Sequence, residues 1–335
     1  MTARLCLSLI IAFVAATIIG KYYIPWLRKI HAGQRILEDG PTWHKSKEGT
    51  PTMGGVIFIA SVTIVCLTVG FESMLNGRWG HILILCLSLL FGLIGFLDDW
   101  EKLKKKQNLG LKAKQKLVLQ IAAAMIFLFI MEKLGYLWPH FYIPFWNVSV
   151  ELPAWLYYVL AIFIIVGTVN SVNLTDGIDG LATMTTIPIC MFFVMVTYLW
   201  GENFLELGIF ASGLLGGLIG FLVFNYNPAK VFMGDTGSLF LGGAVAALAF
   251  AYDMPLILIL IGIMYIIEAL SDIIQVAHYK RTHTRVFKMA PFHHHLEQGG
   301  WSGRKWSEKK ICSLYFWITV GMVIISFIGV YGRFK

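Results

Sequence analysis

Charge is what this chain has least of. Only 14% of its 335 residues are Asp, Glu, Lys or Arg, while 57% are hydrophobic, and its mean hydropathy is +0.71. A soluble globule of this size needs more polar surface than that, so a soluble fold is excluded. Cysteine is scarce too: Cys6, Cys66, Cys86, Cys190 and Cys312 lie in or beside apolar runs, with no C-x-x-C pair. That excludes a disulfide frame and a thiolate metal centre, and leaves the cysteines as small core residues. The chain also lacks a low-complexity linker and a convincing internal repeat, so it reads as one domain over residues 1–335.

What fills the chain instead is apolar sequence. Runs long enough for a bilayer core that takes roughly 20 helical residues lie near 5–27, 53–72, 80–97, 116–134, 153–170, 181–200, 204–222, 236–252, 255–278 and 311–331. They predict an all-α polytopic membrane protein of about ten transmembrane helices. The first run follows Arg4 and contains Ala15 and Ala16, features shared with signal peptides, but continues unbroken to Trp26. That is too long for a cleaved apolar region, so it reads as a retained span. The stretch WPHFYIPFWNVSVELP, residues 138–153, alternates aromatic and β-branched residues around Pro144 and Asn147. It predicts a small outer-face hairpin, with an interfacial aromatic belt as an equal reading.

The cations set the orientation. Arg28, Lys29, Arg35, Lys45 and Lys47 follow the first run; Lys102, Lys104, Lys105, Lys106, Lys112, Lys114 and Lys116 follow the third; and Lys280, Arg281, Arg285, Lys288, Arg304, Lys305, Lys309 and Lys310 precede the last. The positive-inside rule places these loops in the cytoplasm and both termini outside. The net charge of +8 then reflects topology and attraction to anionic membrane lipid. Nucleic acid is not an expected partner, because the basic residues are split among three loops.

With that topology five of the eight aspartates, Asp98, Asp99, Asp176, Asp179 and Asp235, converge on the cytoplasmic face. Asp235-Thr236 before an apolar run also fits a helix N-cap. Capping does not explain Asp98 and Asp99 side by side at a helix C-terminus, where the macrodipole disfavours negative charge; a divalent cation, or Lys102 and Lys106, would stabilise them. In NSVNLTDGIDG, residues 170–180, Gly177 and Gly180 predict a helix break that exposes backbone groups beside two amides and two carboxylates. Carboxylates with few other hard ligands favour Mg²⁺, and no His/Cys spacing suggests zinc. GTPTMGG, residues 49–55, sets Lys47 and Thr52 at a Gly-rich entry where backbone N–H groups could meet an anion, though Gly-Gly before a span is also an ordinary turn. The three histidines of PFHHHLEQGGW, residues 291–301, suit anion contacts or proton transfer as well as metal binding. Glu268, Asp272 and Gln275 form a polar stripe whose expected job is interhelical packing. Carboxylates, Mg²⁺, lysines and a Gly-rich turn together describe phosphoryl transfer between a soluble substrate and a lipid.

The motifs GTPTMGG, FLDDWEKLKKK, NSVNLTDGIDGLA, FNYNPAKVFMGDTGSL and APFHHHLE, in that order, resemble the phospho-N-acetylmuramoyl-pentapeptide transferase family, within the wider polyprenyl-phosphate N-acetylhexosamine-1-phosphate transferases. The resemblance implies ten spans, Mg²⁺, and transfer of phospho-MurNAc-pentapeptide from its UDP carrier to undecaprenyl phosphate, releasing UMP, at the cytoplasmic face of the bacterial plasma membrane. It further implies that Asp98 and Asp99 are the catalytic acidic pair, Asp235 the Mg²⁺ ligand and Asp176 a further essential carboxylate. Asp179, Asn225 and Phe232 would form a uridine pocket. Lys47, Thr52, Asn170, Asn173, Gly177 and Gln275 would line the nucleotide-sugar site. His293, catalytic His294 and His295 would form the triple-histidine loop, and Lys102, Lys106 and Lys114 would meet the lipid phosphate. A second copy of the chain, as a homodimer, is a further candidate partner. Three rival readings are a sister transferase for another UDP-N-acetylhexosamine, an intramembrane prenyltransferase, which would need two aspartate-rich diphosphate motifs, and a secondary transporter, which would bind near the midplane with internal symmetry.

Overall fold

A computed structural model describes residues 1–30, 47–105 and 110–334. The apolar runs become helices α1 (Thr2–Lys29), α2 (Val56–Thr68), α3 (Phe71–Leu75), α4 (Gly80–Lys105), α5 (Ala113–Lys133), α6 (Ala154–Thr175), α7 (Leu181–Trp200), α8 (Leu205–Asn225), α9 (Gly234–Ala251), α10 (Leu258–Ile261), α11 (Ile263–Thr282), α12 (Phe292–Glu297) and α13 (Glu308–Val330). The only sheet among the described residues is an antiparallel hairpin, β1 (His140–Ile143) with β2 (Val148–Glu151), paired His140 to Glu151 and Ile143 to Val148.

Eight of these helical segments are long and apolar enough to cross a membrane, and a ninth counts if the pair Pro255–Ile261 and Ile263–Thr282, bent by 80°, is one span. The expected second span is only the 13-residue α2, about 20 Å at 1.5 Å per residue, short of a core of about 30 Å. Hydropathy registered both segments as ordinary spans because it weighs composition and is blind to bends and to where a helix begins.

α9 lies at the centre, packed chiefly on α4 and α6. Its sequence, GDTGSLFLGGAVAALAFA, is mostly small residues, which lets neighbouring backbones approach where lipid supplies no hydrophobic drive between helices. A methyl group on Gly242 would stand 2.6 Å from Val169 Cα of α6, and one on Gly237 2.8 Å from Gly55 Cα ahead of α2.

The hairpin end of the bundle gathers both termini. His140 Nε2 lies 2.9 Å and Arg333 Nη2 2.5 Å from Asp253 Oδ2, just beyond the end of α9, and the amino terminus lies 3.8 Å from Glu202 beyond α7. The ends of α4 and α6 that carry the aspartates, and the start of α9, point the opposite way. Cys66, Cys190 and Cys312 are buried core residues, and all five cysteines are free thiols.

Candidate active site

At the end opposite the hairpin, the last turns of α4, the C-terminus of α6 and the first turn of α9 meet. Asp98, Asp99 and Asp235 each present a carboxylate oxygen there, all within 4.8 Å of one another. Such crowding needs cations. Lys102, one turn after Asp98 on α4, places Nζ 2.6 Å from Asp98, 3.9 Å from Asp99 and 3.0 Å from Asp235, and Lys116 of α5 lies 2.8 Å from Asp235. Asn173 near the end of α6 donates to Asp235 Oδ1 at 2.9 Å and to Ser238 Oγ at 2.8 Å.

The two adjacent aspartates have different surroundings. Asp99 accepts from the backbone N–H of Asp235 (3.2 Å) and of Thr236 (2.9 Å) and from the Thr236 hydroxyl (2.7 Å). It therefore caps α9 from a neighbouring helix, and the positive end of the α9 dipole stabilises the charge that its own helix end disfavours. The Asp235-Thr236 cap expected from sequence is replaced by this one, since α9 has no side-chain cap of its own. Asp98 accepts from Leu111 N–H at 2.8 Å and faces Lys102. Thr52 lies at the same place: a Cβ built on Gly234 would be 2.6 Å from Asp99 Oδ2 and 2.7 Å from Thr52 Oγ1.

The Gly-rich entry to α2 has a protein partner. Gly54 and Gly55 donate their N–H groups to Phe232 O (2.8 Å) and Met233 O (3.0 Å), and Phe232 N–H donates to Pro51 O (2.8 Å). These glycines tie α2 to the start of α9 and have no N–H left for an anion. At Gly54 and Gly55 the structure shows the ordinary turn.

The stretch 170–180 breaks as expected, with α6 ending at Thr175 and Gly180 in the left-handed region at φ 79°. Asp176 in the turn joins two clusters electrostatically: burial, then the charges of Asp235, Asp99 and Asp179, push its carboxyl well above the usual range. Asp179 accepts from Lys47 Nζ at 2.7 Å on Oδ1, and from Asn227 Nδ2 (3.2 Å) and Ala229 N–H (2.8 Å) on Oδ2. Lys47 also lies 2.6 Å from Glu308 Oε1. Asn225 is buried, accepting from the Thr183 hydroxyl (2.9 Å) and donating to Val231 O (3.1 Å), so it braces the loop that carries Asn227. Phe232 remains partly exposed. Asn170 exchanges hydrogen bonds with Gln120 of α5, at 2.7 and 3.3 Å, and serves as a helix-to-helix brace.

The three histidines occupy α12. His293 is fully buried, with Nδ1 2.9 Å from Glu268 Oε2, and its ring fills the space where Gly177 lacks a side chain. The Tyr315 hydroxyl also donates to Glu268, which gives this residue of the polar stripe the packing role expected of it. His294 Nδ1 lies 2.7 Å from Glu297. His295 accepts from Lys288 N–H at 3.1 Å among Phe287, Phe292 and Trp301; burial, then Lys288, lowers its pKa. Gln275 accepts from Phe287 N–H at 2.9 Å. Lys114 is exposed, and Lys106 lies outside the described residues.

Lys116, Asn227 and Glu308 belong to these clusters although sequence reasoning assigned them no role. Lys116 had a signal: on a helix it shares a face with Gln120, while Lys114 points some 200° away. Glu308 had none, lying a few residues beyond the histidine motif and outside every motif named.

An acidic cluster bridged by lysines thus lies at one end of a polytopic helical bundle, and the comparisons make the chain a membrane transferase: residues 81–253 match the model for glycosyl transferase family 4. Residues 47–59 match signature 1 of phospho-N-acetylmuramoyl-pentapeptide-transferases. Curated proteins of that name are similar along the chain: one from Caldanaerobacter subterraneus subsp. tengcongensis is 43% identical over 330 residues, covering 98% of this chain and 99% of the relative. One from Clostridium botulinum (strain Alaska E43) is 43% identical, covering 96% and 95%, and one from Shouchella clausii is 44% identical, covering 96% and 95%. The chain belongs to the phospho-N-acetylmuramoyl-pentapeptide-transferase family.

Proposed function

We propose that the family's reaction, transfer of phospho-MurNAc-pentapeptide from its UDP carrier to undecaprenyl phosphate to form lipid I for peptidoglycan synthesis, takes place where α4, α6 and α9 meet. In net terms a bond forms between an oxygen of the lipid phosphate and the phosphorus attached to the sugar. The bond from that phosphorus to the bridging oxygen breaks, and UMP leaves with the bridging oxygen.

The observation that carries the reading is the set of three carboxylates within 4.8 Å of one another, with Lys102 and Lys116 among them. An all-oxygen donor set of this kind fits Mg²⁺. Asp235 would hold it, and the ion would offset diphosphate charge. Lys102 and Lys116 offer ammonium groups for phosphate oxygens, Asp98 orients the lipid phosphate, and Asp99 keeps the first turn of α9 in place. Asp179 accepts from the uracil ring N–H beside partly exposed Phe232, and His294, paired with Glu297, can hold a proton at Nδ1. Placing this end in the cytoplasm, and the protein in the bacterial plasma membrane, is supported by the cation distribution and by the soluble nucleotide substrate that the family's reaction requires.

The test is UMP release by the purified protein given UDP-MurNAc-pentapeptide and undecaprenyl phosphate. Release with both, and none when UDP-N-acetylglucosamine replaces the muramoyl substrate, is the expected result. The reverse preference would favour the sister transferase.

A further inference from the structure

At the hairpin end of the bundle, remote from the carboxylate cluster, the start of α1, α3 with the turn after it, and the segment before α8 surround a polar cavity of about 490 Å³. Arg4, Glu72, Asn76, Arg78 and Glu202 line it. Arg4 and Glu72 form an ion pair with each other. Arg78 gives one guanidinium N–H, at Nη1, to the Glu202 backbone carbonyl at 2.9 Å, and its backbone N–H donates to Ser73 O at 2.9 Å. Both ends of this residue are thereby fixed, and the other N–H groups of its fork stay open. The Glu202 carboxylate is 76% exposed, and its ion pair among the described residues is with the Met1 amino group at 3.8 Å, longer than a hydrogen bond. One positive and one negative group thus face the same cavity with donors and acceptors unused.

The rim of the cavity is apolar. Phe71 and Leu75, one turn apart on α3, are exposed, as are Leu7 of α1 and Trp79 beside Arg78. Glu72 and Asn76, on the other side of the same short segment, line the cavity. Apolar residues outward and polar ones inward suit a segment lying in the bilayer interface, where Trp is also enriched. A phospholipid is what such a rim meets in a membrane, its acyl chains against Phe71 and Leu75 and its headgroup in the cavity. The open charges select among headgroups. A phosphate can take two N–H groups of the Arg78 fork. An anionic headgroup with no amine leaves Glu202 without a partner, and a choline has no N–H to donate to it. An ethanolamine ammonium donates three.

We propose that this cavity binds the headgroup of an ethanolamine phospholipid, with Arg78 on the phosphate and Glu202 on the ammonium. The site stands apart from the reaction proposed above and shares no residue with it.

The experiment titrates the purified full chain in detergent with dioctanoyl phosphatidylethanolamine, phosphatidylcholine and phosphatidylglycerol, and with phosphoethanolamine alone, reading bound ligand by native mass spectrometry. Wild type, Arg78→Gln and Glu202→Gln are compared, each checked for folding by thermal unfolding. Wild type should bind the ethanolamine lipid about tenfold more tightly than the choline or glycerol lipid, the scale of one hydrogen bond to a charged group. Arg78→Gln should weaken the ethanolamine and choline lipids alike, by about tenfold, because both carry the phosphate. Glu202→Gln should bring the ethanolamine lipid down to the choline lipid's affinity and leave the choline lipid within about twofold. Being an exposed side chain, Glu202 decides the matter if Arg78→Gln does not fold. Equal binding of the three lipids by wild type, tighter binding of the glycerol lipid, an unaltered ethanolamine affinity in a folded Arg78→Gln, or a preference that survives Glu202→Gln overturns the proposal. Phosphoethanolamine binding as tightly as the whole lipid would make the ligand a soluble phosphate, and overturns the lipid assignment.

Discussion

Asp99 is engaged by three protein donors, and Asp98 by one donor and a lysine, so substitutions at the two should separate structure from chemistry. Asp99→Ala strips the cap from α9 and should cost about 1 to 2 kcal/mol of stability, the upper range for a lost N-cap, seen as a lower thermal midpoint in detergent. Asp98→Asn relieves carboxylate crowding and should unfold near the wild-type temperature. Equal midpoints for Asp99→Ala and wild type would remove the capping account. Asp235→Asn keeps shape but loses the charge suited to Mg²⁺. It should abolish turnover, and a mutant with ordinary activity and an unaltered Mg²⁺ titration would reduce Asp235 to a helix-end residue. The sequence pointed to the carboxylates because charge is rare in this chain and its placement at helix ends is conspicuous. It could not show that Asp99 caps α9 or that Asn227 and Glu308 meet Asp179, because those contacts depend on which way each helix end faces its neighbours.

The elements that build the site depend on close backbone approach around α9. Gly95 of α4 faces the Asp235 carbonyl so closely that a methyl group there would fall well inside van der Waals contact with backbone. Backbone cannot yield as a flexible side chain can, so Gly95→Ala should push α9 off α4, cost about 1 to 3 kcal/mol in strain and greatly reduce activity. Gly167 on α6 has nothing within 4 Å of the same added atom, and Gly167→Ala should keep stability and activity near wild type. If Gly95→Ala proves as harmless as Gly167→Ala, the close packing of α4 on α9 does not position the site. Spans of this kind were legible from apolar length, and the hairpin from its alternation and turn residues. The short α2 and the 80° break before α11 were not, since both follow from which helices pack together.

At the scale of the whole molecule, the hairpin and both termini lie at one end and the carboxylates, lysines and histidines at the other. The orientation proposed from the charge pattern of the loops puts the carboxylate end in the cytoplasm. In a cysteine-free background, Trp146→Cys, on the highly exposed hairpin tip, should react with a membrane-impermeant thiol reagent in intact cells, and Lys114→Cys only after permeabilisation. The reverse pattern would invert the topology. The central claim is that the cluster at this end performs phosphoryl transfer, with nucleotide recognition housed separately around Asp179. Its most direct measurement is kcat together with UDP-MurNAc-pentapeptide affinity for purified Asp98→Asn. The account predicts a fall in kcat of at least about 10²-fold, the lower end for loss of a positioned acid or base, with affinity near wild type. A large loss of affinity with kcat preserved would contradict it, moving Asp98 out of the chemistry and into binding.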